Sequence, residues 1–165
     1  RRMLLTLCYG CGLRLNELVH LQVSDIDGER CLLRIDQGKG HKDRLVEMSA
    51  TLLVQLRDYW RALRPLQWLF PGRDSGMPLC ANTPQKYYTE AKRQAGVVKT
   101  GGIHALRHAY ATHSLAAGMP ITHLQHQLGH RDIRTTMRYL HWVPSYAGGA
   151  GNTDLIAALA HRHER

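Results

Sequence analysis

Residues 104–113 read H-A-L-R-H-A-Y-A-T-H, and residues 128–139 read L-G-H-R-D-I-R-T-T-M-R-Y. In the first stretch His104 and Arg107 stand three apart, so on a helix their side chains share one face. Apolar spacing predicts that helix over 104–117, ended by Gly118 with Pro120 beyond. In the second stretch Gly129 stops a short helix over 122–128, and His130 follows the stop directly. Asp132 then opens a helix to about Trp142, which carries Tyr139 nine residues after His130.

Working outward, Gly12-Leu13-Arg14-Leu15-Asn16-Glu17-Leu18 places a second arginine at a helix start, with Glu17 one turn on. Residues 1–9 read as the end of a helix broken at Gly10-Cys11-Gly12, and 14–22 as the next helix. Residues 31–35 and 44–48 read as two short strands, joined by the glycine-punctuated turn Gly38-Lys39-Gly40-His41-Lys42-Asp43. Ser49 caps a helix to about Arg64, with Leu52, Leu53, Leu56, Tyr59, Trp60 and Leu63 on one broad face. Residues 65–83 form a loop, and Thr83 caps a helix to about Ala95. Residues 144–152 hold three glycines and read as a linker, followed by a small helix capped by Thr153 or Asp154. The fold class is therefore mainly α with a small antiparallel β-sheet, in one domain of a 165-residue chain.

These residues define a chemistry. Two arginine forks can hold the non-bridging oxygens of one phosphate and neutralise charge developing at phosphorus. A tyrosine hydroxyl can accept a phosphoryl group, but with an ordinary pKa near 10 it needs a base, which a histidine can supply. A lysine on a turn can protonate a departing alkoxide. The net charge of +9 points to a polyanion. The excess is interspersed, at +1 over residues 1–50, +5 over 51–100 and +3 over 101–165, so it belongs to a folded surface and not to a tail.

Other readings are weaker. Cys8 and Cys11 form a C-x-x-C, but Cys31 and Cys80 are scattered and supply no second pair for a zinc site. His104/His108, His123/His126 and His126/His130 have ligand-like spacing, yet residues 101–131 hold a single-sign set without Asp or Glu. No metal and no cofactor is expected. No apolar run reaches the ~18 residues of a membrane span. His108 and His113 read as packing residues of their helix, Glu17 as the group that orients Arg14, and the Lys86, Tyr87, Tyr88, Lys92, Arg93 stripe as a DNA-facing or solvated helix face.

The ordered set Y-G-C-G-L-R-L-N-E-L, G-K-G-H-K-D-R, H-A-L-R-H-A-Y-A-T-H and L-G-H followed by Tyr139 resembles the catalytic domain of the tyrosine recombinases, the phage, integron and mobile-element integrases among them. The resemblance runs from about Leu4 to Trp142. It implies a domain over residues 1–143, lacking the start of its first helix and the separate core-binding domain, with 144–165 as linker and tail helix. It implies that Arg14 and Arg107 clamp the scissile phosphate, that His130 hydrogen-bonds it, and that His104 is the general base or proton relay. Lys39 would be the general acid to the 5′-oxygen, and Tyr139 the nucleophile that forms a 3′-phosphotyrosyl link without metal or ATP. The implied partners are double-stranded DNA and further protomers in a tetrameric synapse, with the tail helix docking in trans or packing in cis; the implied location is the cytoplasm, at the bacterial nucleoid. Type IB topoisomerase-like relaxation and a catalytically inert DNA-binding module remain the alternatives.

Overall fold

A computed structural model describes residues 1–36, 43–74, 76–143 and 154–160. Eight helices and one sheet are arranged along these residues: α1 (Arg2–Gly10), α2 (Leu15–Val19), β1 (Ile26–Asp27), β2 (Leu32–Ile35), β3 (Arg44–Glu47), α3 (Ala50–Leu63), α4 (Asn82–Gln94), α5 (His104–Ala116), α6 (Ile121–Leu128), α7 (Ile133–Met137) and α8 (Leu155–Ala160). Single-turn 3-10 segments add Val23–Asp25 and Arg138–Trp142. The sheet is antiparallel in the order β1-β2-β3, with Leu33 opposite Val46 and Ile35 opposite Arg44. The mainly helical expectation holds, and β1 adds a two-residue strand that too short a pattern had hidden.

The core lies where α1 meets α3 and α5. Leu7, Leu18, Leu33, Leu52, Leu56, Leu115, Leu124 and Leu128 are fully buried there, each removal from water contributing about 1.5–3 kcal/mol. Leu33 and Ile35 of β2 and Val46 of β3 reach the same core by strand alternation. Ser49 caps α3 by accepting from the Leu52 amide at 3.2 Å, as its sequence position predicts.

Two expectations are corrected. The face of α3 is narrower than its spacing suggested: Trp60 is 37% and Leu63 64% exposed, because the helix outruns the core and the Arg64 guanidinium covers the Trp60 ring at 4.3 Å instead. Thr83 does not cap α4. The helix begins at Asn82, since Pro84 sits in the first turn, where a missing N–H costs nothing. The predicted linker and the Lys39 turn fall outside the described residues. As for the tail, Asp154 caps α8 by accepting from the Ile156 and Ala157 amides, and α8 packs in cis on α1, α3 and α5 through buried Ile156.

Candidate active site

Two sharp turns, each needing a glycine, bring the arginines and His130 together. After α1 the chain reverses at Gly12, whose φ is +59° and whose Cβ, if present, would lie 2.4 Å from a Tyr110 ring carbon. That reversal places Arg14 at the start of α2 and turns the Gly12 carbonyl toward α5. After α6, Gly129 takes φ +64°, and the His130 amide closes back on the Gln125 carbonyl at 3.1 Å. The second turn leaves the Leu128 and Gly129 carbonyls facing the arginines.

Arg107, 6% exposed on α5, donates to the Gly12 carbonyl at 2.6 Å and to the Leu128 carbonyl at 2.7 Å. Burial, and then the neighbouring Arg14 charge, pull its guanidinium down to about 10, so it stays cationic at neutral pH. Arg14 donates to Glu17 Oε1 at 2.9 Å and to the Gly129 carbonyl at 3.3 Å, while its backbone N–H donates to Glu17 Oε2 at 2.8 Å. Glu17 thus orients Arg14, as its spacing predicts.

The His130 contacts identify its tautomer. Its Nε2 lies 3.1 Å from Arg107 Nη2, which can only donate, so Nε2 accepts. Nδ1 then carries the proton and donates to Thr136 Oγ1 at 3.0 Å. Burial, and next the charges of Arg107, Arg14 and Arg44, push the imidazole down from 6.5 to about 4, consistent with a neutral ring. Tyr139, in the Arg138–Trp142 turn, lies nearly parallel to the His130 ring at 6.3 Å between centroids, and His108 meets it edge-on at 5.2 Å.

Arg14, His104, Arg107, His130 and Tyr139 all line one cavity of about 500 Å³. The structure therefore brings together five of the six residues singled out from sequence; Lys39 lies outside the described residues. Glu17, Arg14, Arg44 and Arg107 leave two positive charges unbalanced around this cavity, a setting that favours a bound anion. A larger groove of about 970 Å³ shares Arg14 and His130 with it and continues past His20, Arg34, Trp68 and Arg131.

Sequence reasoning missed two contributors and misplaced a third. Arg44 is buried beside Glu17, and the signal was its strand parity with Val46 and Met48. Thr136, fully buried, holds the His130 tautomer, and nothing in its neighbourhood marked it. His108 lines the cavity and touches Tyr139 and Trp142, whereas His113 does pack within the fold, against the Tyr9 hydroxyl at 2.9 Å. Cys8 and Cys11 are free, buried thiols, and Cys8 is pushed up to about 12 by burial. Among the described residues no three His, Cys, Asp or Glu side chains gather as metal ligands.

The sequence matches the phage integrase family over residues 1–145. This chain belongs to the phage integrase family. One family member, y4qK of Sinorhizobium fredii (strain NBRC 101917 / NGR234), an integrase/recombinase by name, is 45% identical over 83% of this chain and 44% of its own length. The crystal structure of XerA recombinase superposes with a TM-score of 0.77 at 26% identity, over 99% of this chain and 57% of that one. The XerH site-specific recombinase, solved bound to difH substrate in a pre-cleavage complex, matches with a TM-score of 0.74 at 28% identity, over 84% of this chain and 42% of that one. The chain spans about half the length of the family members it matches.

Proposed function

We propose that residues 1–143 are the catalytic domain of a site-specific DNA recombinase and residues 144–165 its linker and tail helix. The observation that carries this reading is the single cavity where Arg14, Arg107, His104 and His130 face Tyr139, with positive charge in excess. Tyr139 Oη attacks the scissile phosphorus and gives its proton to His104. The bond from phosphorus to the 5′-oxygen breaks, and Lys39 protonates that oxygen, leaving a 3′-phosphotyrosyl link and a 5′-hydroxyl. Attack by a 5′-hydroxyl from a partner strand reverses the step with the protons returned, so neither ATP nor a metal ion enters the balance. Arg14 and Arg107 hold the non-bridging oxygens, where charge builds up in the transition state.

The XerH structure, bound to its difH substrate, supports a DNA partner for this chain. The reading also includes assembly of several protomers on DNA, four in a synapse, in which α8 would leave the cis position it holds in this structure and dock on a neighbouring protomer. Its place of work is the cytoplasm, where DNA is available; among the described residues no helix is long and apolar enough to cross a membrane.

The test is covalent trapping. The chain is incubated in EDTA with nicked suicide duplexes of randomised sequence, beside Tyr139→Phe, and run on a denaturing gel. An adduct from the wild type alone is expected, and sequencing the trapped strand begins to define the site. Salt-sensitive binding with no adduct, also in the full-length protein, would overturn the reading in favour of an inert binder. Relaxation of a plasmid that carries no trapped site would overturn it in favour of a topoisomerase.

A further inference from the structure

Arg44 stands at an inward position of β3, where alternation would place an apolar side chain beside Val46. It is 6% exposed, and a buried guanidinium is costly unless its donors are fully matched. Each of its three nitrogens finds an acceptor, on one carboxylate and one carbonyl. Nη1 donates to Glu17 Oε1 at 2.7 Å, Nη2 to Glu17 Oε2 at 2.9 Å, and Nε to the Gln127 carbonyl at 3.1 Å. Burial pushes the Glu17 carboxyl up, but the Arg44 hydrogen bonds and charge outweigh it, and the group stays below its ordinary range.

Glu17 is then saturated. Each of its oxygens accepts one bond from Arg44 and one from Arg14, the latter through the Arg14 Nη1 and backbone N–H. A carboxylate has about four acceptor positions, and all are taken. Arg14 therefore spends one side-chain donor on Glu17 and one on the Gly129 carbonyl, and its side chain keeps 39% exposure on the cavity side. Without Arg44 the same carboxylate would be free to take the Arg14 fork two-pronged, the geometry a phosphate also requires. Arg44 also joins the two walls of the clamp. The Glu47 amide donates to Gln127 Oε1 at 3.1 Å, so β3 is bolted to the end of α6 from which Gly129 and His130 depart.

We propose that Arg44 is a positioning residue of the phosphate clamp: by saturating Glu17 it keeps Arg14 fixed yet open to the phosphate. The proposal rests on the recombinase reading above and is tested so that the two fail separately. Adduct formation is timed in single turnover on the nicked-duplex pool, and DNA affinity is measured alongside. Arg44→Met slows the covalent step about 30- to 100-fold, a loss typical of a misplaced oxyanion donor, with affinity changed less than about threefold. Adding Glu17→Gln to it recovers about fivefold or more, because a neutral amide no longer captures Arg14. A purely structural role predicts the opposite, with the double variant no faster than the single one.

A folded Arg44→Met within about threefold of wild type, or a double variant without recovery, overturns the proposal. Should Arg44→Met fail to fold, Arg44→Lys keeps the buried charge but loses the two-pronged grip. It is expected to slow the covalent step about tenfold, and an unchanged rate overturns the proposal. A second readout needs no chemistry: the Arg14 Nε–H NMR signal is titrated with inorganic phosphate. Arg44→Met, or Arg44→Lys in its place, should need about fivefold more phosphate than wild type, and equal titrations overturn the proposal. A wild type that forms no adduct counts against the recombinase reading, and the phosphate titration then decides Arg44 by itself.

Discussion

The two walls of the cavity are built differently. On one, Arg107 and Arg14 are held by three backbone carbonyls and a saturated carboxylate, with Arg107 buried and Arg44 buried behind it. On the other, Tyr139 sits in a single 3-10 turn, touched by the rings of His130 and His108, beside exposed Met137 and Trp142. Among the described residues the Tyr139 hydroxyl has no hydrogen-bond partner. The lesson is a division of labour. In the proposed reaction the charges that stabilise the transition state are organised before substrate arrives, while Tyr139, held among the described residues by ring contacts, is oriented finally by the phosphate it would attack.

The widest gap between the walls should appear in two substitutions. Tyr139→Phe keeps both ring contacts and removes the hydroxyl proposed to attack, so adduct formation should fall by about 10³-fold or more. Stability and DNA affinity should stay near wild type, as read by thermal melts and gel shifts. Arg107→Ala should instead lose on both counts. The covalent step slows about 10²- to 10³-fold, and leaving the Gly12 and Leu128 carbonyls without their donor costs about 1–3 kcal/mol each in stability. An Arg107→Ala protein as stable as Tyr139→Phe would erase the distinction drawn between the walls.

The next effect tests the frame that carries the arginines. Gly12→Ala puts a side chain at φ +59° against the Tyr110 ring, and such a residue costs about 1–3 kcal/mol. Urea unfolding should show that loss. Gly96→Ala, also at positive φ but with nothing within 4 Å, should show only the backbone part of it.

How much of this was legible follows from what each feature depends on. Helix stops at Gly118 and Gly129, the Ser49 cap and the hairpin strands are local, and the sequence carries local signals for them. Arg14, His104, Arg107, His130 and Tyr139, which the structure brings to one cavity, were legible as an ordered set of motifs. Thr136 was not, and for Arg44 strand parity marks an inward position but not its partner. Their importance lies in partners 27 and 6 residues away, Glu17 and His130, and no local pattern announces a cross-chain pair. The α3 face was misjudged for a related reason, because periodicity shows which residues align but not where the neighbouring core ends.

His130 stands between the walls, bonded to Arg107 and stacked by Tyr139, so its titration reports on both. With the cavity empty its imidazole should titrate near 4, below the ordinary 6.5. The unfolded chain then takes up that proton first as the pH falls. The resulting stability is therefore complete above about 6.5 and is lost as the pH drops toward 4. An anion in the cavity offsets the arginine charges and favours the protonated ring, so adding inorganic phosphate should move the titration upward. Imidazole NMR in its presence and absence measures this, and a downward shift would mean the anion binds away from the arginines.

The smallest expected effect is the most useful for the weaker wall. Trp142 is 69% exposed and, among the described residues, meets the site at the ring of His108, edge-on at 5.8 Å. If Tyr139 is oriented mainly by substrate, Trp142→Ala should change stability by no more than about 0.5 kcal/mol and the covalent rate by no more than about threefold. A loss of tenfold or more in rate, at unchanged DNA affinity, would mean that the Tyr139 ring is aimed in advance by the His108–Trp142 contact. The nucleophile wall would then be as preorganised as the arginine wall, through rings in place of hydrogen bonds.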